Sequence, residues 1–428
     1  MNLPLGTGTI DVELPECDVT VADPSGAEPV DVREAAAAAL ADPHGPPLAD
    51  HVEPADDVAI VVTDLTRSVP DDLLLEALLE ELADCGVDRE RVTVVVGLGL
   101  HRPMTDAELE EMLGPHADLA VNHDPTAVVE VGTVDGRPVE LGEPVAAADT
   151  VLSTGVVEPH QYAGFSGGAK TVVIGAGSES LIRYTHGPEV LSREGVRLGR
   201  IDGNPFRKIL DRAGDLAGVD FSLNLTHGPG GVLGVSAGDH RAVVSELADV
   251  ARDALSVPVS PDDEYDAVVA GVGAPKDANL YQATRAATYV ALGDRNPLRE
   301  EGRLVVPAAL PEGVGEGTGE QRFYDRLRTA SDADSLYREM LEGYEPGAQR
   351  AFVVARVLRE HEVYVTNSAT PTVVEECLLR AEPTVSEAVP AGSEVLVVPD
   401  ALNTLLVDSD SVAVGPDSDE STELVDDD

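Results

Sequence analysis

Apolar β-branched runs alternate with helically spaced stretches through the first half of the chain. Val58 to Thr63 (VAIVVT) reads as a buried strand ending at Asp64. Pro70 then opens a helix to about Ala83, with Leu74, Leu75, Leu78, Leu79 and Leu82 at helical spacing and Gly86 just past its end. Val92 to Val96 is the next strand, Thr105 with Glu108 forms a capping box for a short helix, and Thr150 to Ser153 is a further strand. Asn204-Pro205 starts a helix with proline at its first position. Near Ser256 to Glu264 (SVPVSPDDE) the pattern breaks into a Pro- and Asp-rich linker. A second alternating unit follows: strand Ala267–Gly271, a helix from about Asn279 to Leu292, strand Arg303–Val306, helical segments between about Gln321 and Glu360, and strands at Val363–Val365 and Glu394–Val398.

This rhythm predicts an α/β protein of two α/β domains with mixed, largely parallel sheets and an active-site cleft between them. The expected boundaries are 1–258 for the N-terminal domain and 262–392 for the C-terminal one. Residues 393–407 form a final strand region that is a candidate to return to the first domain, and 408–428 read as a disordered acidic tail.

Composition narrows the class. Apolar residues make up 43% of the 428 positions, ordinary for a globular chain. No apolar run reaches the roughly 18 residues of a membrane span, and the N-terminus lacks a signal-peptide pattern. Cys17, Cys85 and Cys377 are scattered without CxxC spacing, which argues against a disulfide framework or a cysteine-built zinc site and for a reducing cytoplasm. The formal charge of −50 excludes non-specific nucleic-acid binding, which needs a basic patch. The acidic residues are spread along the chain, and arginine far outnumbers lysine. That distribution predicts a halophilic protein whose surface suits strongly screened solvent.

Candidate chemistry gathers at strand ends, where loops and helix N-termini converge. Asp64-Leu65-Thr66-Arg67 follows the first strong strand; it can hold a phosphate or carboxylate, or simply be a cap with a surface ion pair. His101-Arg102 ends the run VTVVVGLGL, where an imidazole in a glycine-opened loop suits a general base. His123-Asp124 follows another short strand and reads equally as a turn.

The stretch Glu158–Lys170 (EPHQYAGFSGGAK) carries more information. Gly164, Gly167 and Gly168 allow close backbone approach to a ligand. Lys170 is one of three lysines, with Lys208 and Lys276, and its retention in an arginine-rich chain points to amine chemistry such as covalent attachment. Gly164-Phe-Ser166-Gly-Gly168 fits the hydrolase-elbow expression but lacks the strand that should run into the serine, and Ala169 breaks a Walker motif. His186, in Tyr184-Thr185-His186-Gly187, becomes a metal ligand only if a cofactor supplies other donors.

DLTR at Asp64–Arg67, LHR at Leu100–Arg102, EPHQYAGFSGGAK, His186 and NLYQATRA at Asn279–Ala286 occur in an order and spacing that resembles the nickel-dependent lactate racemase family, from about Leu5 to about Leu406. The resemblance implies a racemase or epimerase of 2-hydroxy acids that works by hydride transfer. Its cofactor would be a nickel-pincer nucleotide (Ni(II)-pyridinium-3,5-bisthiocarboxylic acid mononucleotide) linked to Lys170, with His186 as the nickel ligand. It further implies His101 and His160 as paired acid/base residues, Asp64, Leu65, Thr66 and Arg67 as cofactor-binding, and Gln282 and Arg285 as substrate-binding. The implied partners are a small 2-hydroxy acid and the proteins that synthesise the cofactor; oligomeric state is left open. Two departures bear on the substrate. Arg285 stands where lactate-specific members commonly have lysine, and the chain contains no tryptophan. The competing readings are a nickel-free lyase or hydrolase on the same scaffold, and a non-enzymatic cofactor carrier or metabolite-binding protein; a carrier has no use for two bases.

Overall fold

A computed structural model describes residues 1–67 and 69–409 of the chain. Two six-stranded sheets, each covered by helices, organise it. The first has the order Gly231–Gly238, Val219–Gly228, Thr150–Val156, Val58–Val62, Val92–Val96, Ala120–Asn122; only the first pair is antiparallel. Val58–Val62 is buried at all five positions because helices cover both faces of the sheet around it. The helix Asp71–Asp84 lays Leu74, Leu75, Leu78 and Leu82 into that core. Thr105 and Glu108 form the expected capping box, and Asn204 caps the helix Pro205–Ala217.

The second sheet is parallel throughout, in the order Arg380–Glu382, Glu362–Thr366, Leu298–Pro307, Tyr265–Ala270, Glu394–Val398, Asp18–Val21. Its last strand corrects the expected boundary of the first domain: Asp18–Val21 comes from the N-terminal end of the chain yet pairs with Glu394–Val398. The region 393–407 divides between the two units: its first strand joins the second sheet, and Leu405 packs against Val157, Phe165 and Leu247 of the first unit. Glu394–Val398 stays in the second, and the stretch read as a linker contains a strand, Ser256–Val259, that pairs in parallel with Leu405–Asp408. Pro258 is compatible with that pairing because the ladder has only two strands and leaves one side of Ser256–Val259 free. The expected acidic tail lies, from residue 410 on, outside the described residues.

The two units meet through the segment after Thr150–Val156. Tyr289 Oη, on the helix Leu280–Ala291 of the second unit, donates to the Pro159 carbonyl of the first at 3.1 Å. Thr288 Oγ1 donates to Gln161 Oε1 at 3.4 Å, so the helix bearing Gln282 and Arg285 is seated directly on the glycine-rich stretch.

Candidate active site

The stretch Glu158–Lys170 leaves its strand, makes a small antiparallel clasp (Pro159–His160 with Gly164–Phe165), and enters a π-helical turn, Thr171–Gly175, directly after Lys170. Its glycines are obligatory. A Cβ on Gly164, at φ +78°, would fall 1.9 Å from the Arg200 carbonyl oxygen; one on Gly168, at φ +58°, would fall 2.7 Å from that of His240. Residues without a sequence signal hold the loop. The buried guanidinium of Arg207 donates to the Phe165, Ser166 and Gly167 carbonyls and faces Asp211, while Asn224 Oδ1 accepts from the Gly168 amide at 2.7 Å. Ser166 Oγ donates to the Val156 carbonyl at 2.6 Å and accepts from the Glu158 amide, which commits the hydroxyl to the loop and removes the hydrolase-elbow alternative.

Three of the predicted histidines differ in how their Nδ1 is held. His101 Nδ1 lies 2.6 Å from Asp64 Oδ2, so the proton between them sits on Nδ1 and the Nε2 lone pair is free. Burial would push the Asp64 carboxyl up, but hydrogen bonds from His101 and from the Thr66 hydroxyl and amide outweigh it and keep Asp64 ionised. His186 Nδ1 is 2.9 Å from Thr185 Oγ1. That hydroxyl spends its proton on the Leu181 carbonyl (2.9 Å), so it accepts from the ring and leaves Nε2 available as a ligand atom. Burial, then the Lys170 charge, holds His186 down to about 3, which keeps the ring neutral. His160 is the reverse case: Nδ1 accepts from the Tyr162 and Ala163 amides at 3.2 and 3.1 Å, so the neutral ring carries its proton on Nε2. Burial, then the charges of Lys170 and Arg67 and the neighbouring His186 and Arg285, hold it well below its ordinary value.

His160 and His186 form one cluster with Lys170. The His160 and His186 rings both contact Tyr162 (centroids 5.5 and 5.8 Å) and Phe206 (6.3 and 5.1 Å). Burial, then Arg67 and Arg207, lowers the Lys170 amine to about 7, so near neutrality it is a nucleophile as often as a cation. Arg67 pairs with Glu158 across the floor; burial raises that carboxyl, but Arg67 and Arg285 outweigh it and keep it charged. Arg285 Nη1 lies 3.4 Å from Gln282 Oε1 and Nη2 lies 3.3 Å from Tyr289 Oη. Leu65, in contrast, is exposed, and Thr66 turns its hydroxyl back onto Asp64. His123 is buried with Nε2 on the Gly177 carbonyl and belongs to the fold.

Sequence reasoning missed Lys276, half-buried within the electrostatic reach of Arg285, Glu158, Arg67 and Asp64, and Asp71, buried beneath Asp64 and bonded by Thr63 and Thr154. Lysine scarcity was the one signal that pointed at Lys276. Among the described residues no three His, Cys, Asp or Glu side chains assemble as a metal site, so a metal at His186 would need donors from a bound group. The residues fit that demand: a free Nε2 on a hydroxyl-oriented imidazole, beside a lysine amine that burial makes nucleophilic. Among the described residues no helix is long and apolar enough to cross a membrane, and all three cysteines are free.

Residues 5–199 match the profile described as the lactate racemase N-terminal domain, and residues 262–414 that of the lactate racemase C-terminal domain. The chain is 27% identical over 373 residues to a lactate racemase of Lactiplantibacillus plantarum, covering 82% of this chain and 84% of that one. It is 25% identical over 381 residues to a lactate racemase of Thermoanaerobacterium thermosaccharolyticum, covering 84% and 86%. The fold is similar to that of the lactate racemase apoprotein from the latter organism (TM-score 0.83, 22% identity, 95% of this chain and 99% of that one). It is also similar to that of a Thermotoga maritima protein (TM-score 0.62, 17% identity, 86% and 96%).

Proposed function

As the chain belongs to the lactate racemase family, we propose that it interconverts the two hands of lactate or a related 2-hydroxy acid, with His101 and His160 as the acid/base pair and Lys170 and His186 holding a nickel-pincer nucleotide. When bound, that group supplies a reversible hydride acceptor. The observation that carries the reading is the different commitment of the three imidazoles, two of them beside one nucleophilic lysine: His186 open at Nε2 as a ligand and His160 a donor from Nε2 next to Lys170, and His101 open at Nε2 as a base on Asp64.

The chain's own residues then divide the work. Arg285 and Gln282 receive the substrate carboxylate, with Lys276 adding positive charge nearby. The Asp64-backed His101 takes the hydroxyl proton, its imidazolium stabilised by the buried carboxylate. His160, beside Lys170 and Arg285, begins as a hydrogen-bond donor. To serve as base for the opposite hand it must release the Tyr162 and Ala163 amides, because an Nε2 that carries the proton has no lone pair. The second-unit helix seated on Pro159 and Gln161 keeps bulk water from the reacting carbon.

The test is intact mass, metal content and optical rotation of protein made in a host that synthesises the cofactor. A lysine-linked adduct on Lys170, about one nickel per chain and loss of optical activity from a single enantiomer are expected. An unmodified, metal-free yet active chain would sink the cofactor assignment. His101→Gln should abolish interconversion while the adduct persists; full activity in that variant removes the base.

A further inference from the structure

Arg350 lies on the helix Gln349–Leu358 of the second unit and is only 2% exposed, the largest fully buried side chain among the described residues. A guanidinium at that depth ordinarily meets a carboxylate or several carbonyls, as Arg207 does. Arg350 meets neither among the described residues. Its contacts are two neutral oxygens at 3.3 Å, Gln161 Oε1 and Thr284 Oγ1, and the face of the Tyr281 ring, 5.1 Å from its centroid. Its Nε is buried without a partner.

Arg285, one turn along the neighbouring helix from Tyr281, repeats the pattern. Its Nη atoms make long contacts to Gln282 and Tyr289, its Nε is buried without a hydrogen-bond partner, and it and Arg350 repel one another, although Arg285, unlike Arg350, also feels the Glu158 carboxylate. In a chain with 79 acidic residues against 29 Lys and Arg, a buried guanidinium that faces no carboxylate among the described residues, set beside a second one, is an arrangement that favours an anion. Lactate brings one carboxylate, which Arg285 and Gln282 accommodate. Arg350 is left over, its fork holding one hydroxyl oxygen, of Thr284, and one amide oxygen, of Gln161, which also accepts from Thr288.

We infer that the site is built for a 2-hydroxy dicarboxylate: one carboxylate at Arg285 and Gln282, the distal carboxylate on Arg350 and Thr284 in place of the Gln161 amide oxygen. This rests on the proposed 2-hydroxy-acid racemase reading and specifies its substrate class. A carboxylate offers Arg350 two oxygens where the amide offers one, and charge-assisted pairing where there is now none. Because Gln161 belongs to the glycine-rich stretch, displacing it also links distal-group binding to the segment that carries His160.

The experiment has two independent arms. In the first, thermal melting of the cofactor-free protein is followed with added 2-hydroxysuccinate, lactate or inorganic phosphate. A midpoint rise with 2-hydroxysuccinate well beyond that with lactate or phosphate, reduced in Arg350→Gln, is expected. Equal shifts, or a phosphate shift as large, overturn the inference whether or not the protein is a racemase. In the second, racemisation by loaded enzyme is compared. 2-Hydroxysuccinate should be preferred over lactate, and Arg350→Gln should lower that kcat/KM ratio at least about tenfold. Lactate turnover with no such preference overturns the inference and leaves the racemase reading intact; no turnover of either acid by a loaded enzyme overturns the racemase reading instead. Should Arg350→Gln fail to fold, Gln161→Glu supplies an internal carboxylate to Arg350: it should raise the melting midpoint and erase the dicarboxylate preference, and a preference that survives it refutes the assignment.

Discussion

Replacing Asp71 with asparagine should stabilise the protein above neutral pH and do almost nothing in acid. Asp71 is 1% exposed, at the start of the helix Asp71–Asp84, with its oxygens on Thr154 Oγ1 (2.9 Å) and Thr63 Oγ1 (3.3 Å). Burial pushes its pKa up to about 7; the two threonine hydroxyls oppose this, and Asp72 and Asp64 reinforce it. In the unfolded chain the carboxyl titrates near 3.8. A folded pKa above the unfolded one means the folded state holds its proton longer. The contribution to stability is therefore complete below about pH 4, declines as pH rises and is gone above about pH 7. At about 1.4 kcal/mol per unit, the span amounts to about 4 kcal/mol as an upper limit. Asparagine keeps the shape and both threonine contacts, since its amide can donate to Thr63 while its oxygen accepts from Thr154. Urea unfolding at constant high salt from about pH 4.5 to 8 measures the difference between variant and parent. A gap in favour of Asp71→Asn that widens by several kcal/mol toward pH 8 is expected. A gap that stays constant with pH would refute the reasoning.

Three further outcomes follow from the same structure. With three lysines in the chain, amine acylation of the cofactor-free protein can be resolved residue by residue in mass spectra; Lys170 should gain reactivity with a midpoint near the value of about 7 set by its burial, and a midpoint at the ordinary lysine value counts against a nucleophilic amine. Gly164→Ala should lower stability by at least about 2 kcal/mol, because the new Cβ meets the Arg200 carbonyl in a left-handed backbone; an unchanged melting midpoint would show that the loop can move aside. The net charge of −50 predicts that the melting midpoint climbs as salt is raised toward about 1 M, and full stability in salt-free buffer would contradict the halophilic reading.

Elements whose signal is local were legible in the sequence. The five-residue strand Val58–Val62, the leucine stripe of Asp71–Asp84 and the Asn279 cap of the Leu280–Ala291 helix each declare themselves within a dozen positions. What depends on distant partners was not. Asp18–Val21 alternates weakly and is mostly exposed, and only Glu394–Val398, far along the chain, gives it a place. Ser256–Val259 carries a proline and reads as linker until Leu405–Asp408 pairs with it. The site divides the same way. His160 and Lys170 stand in a conspicuous motif, whereas Arg350 sits inside an ordinary amphipathic pattern, and its lack of a counterion is a fact of packing. The hydrogen bonds that set each imidazole's tautomer come from Asp64, Thr185 and two backbone amides, which no spacing rule identifies.

The N-terminal strand has a consequence for how the protein can be cut and how it can move. Since Asp18–Val21 belongs to the second sheet, the polypeptide crosses between the units twice, leaving after Val21 and returning near Ser256. The crossings touch, with the Gly26 amide donating to the Ala254 carbonyl at 3.1 Å. Two crossings held side by side are predicted to resist twisting of one unit against the other more than a single linker would. A fragment spanning residues 262–414 would lose this border strand and bare the flank of Glu394–Val398, an open edge that recruits neighbouring chains. Expression of the second unit alone should therefore give aggregates, and a soluble version would need residues 1–22 grafted onto its far end.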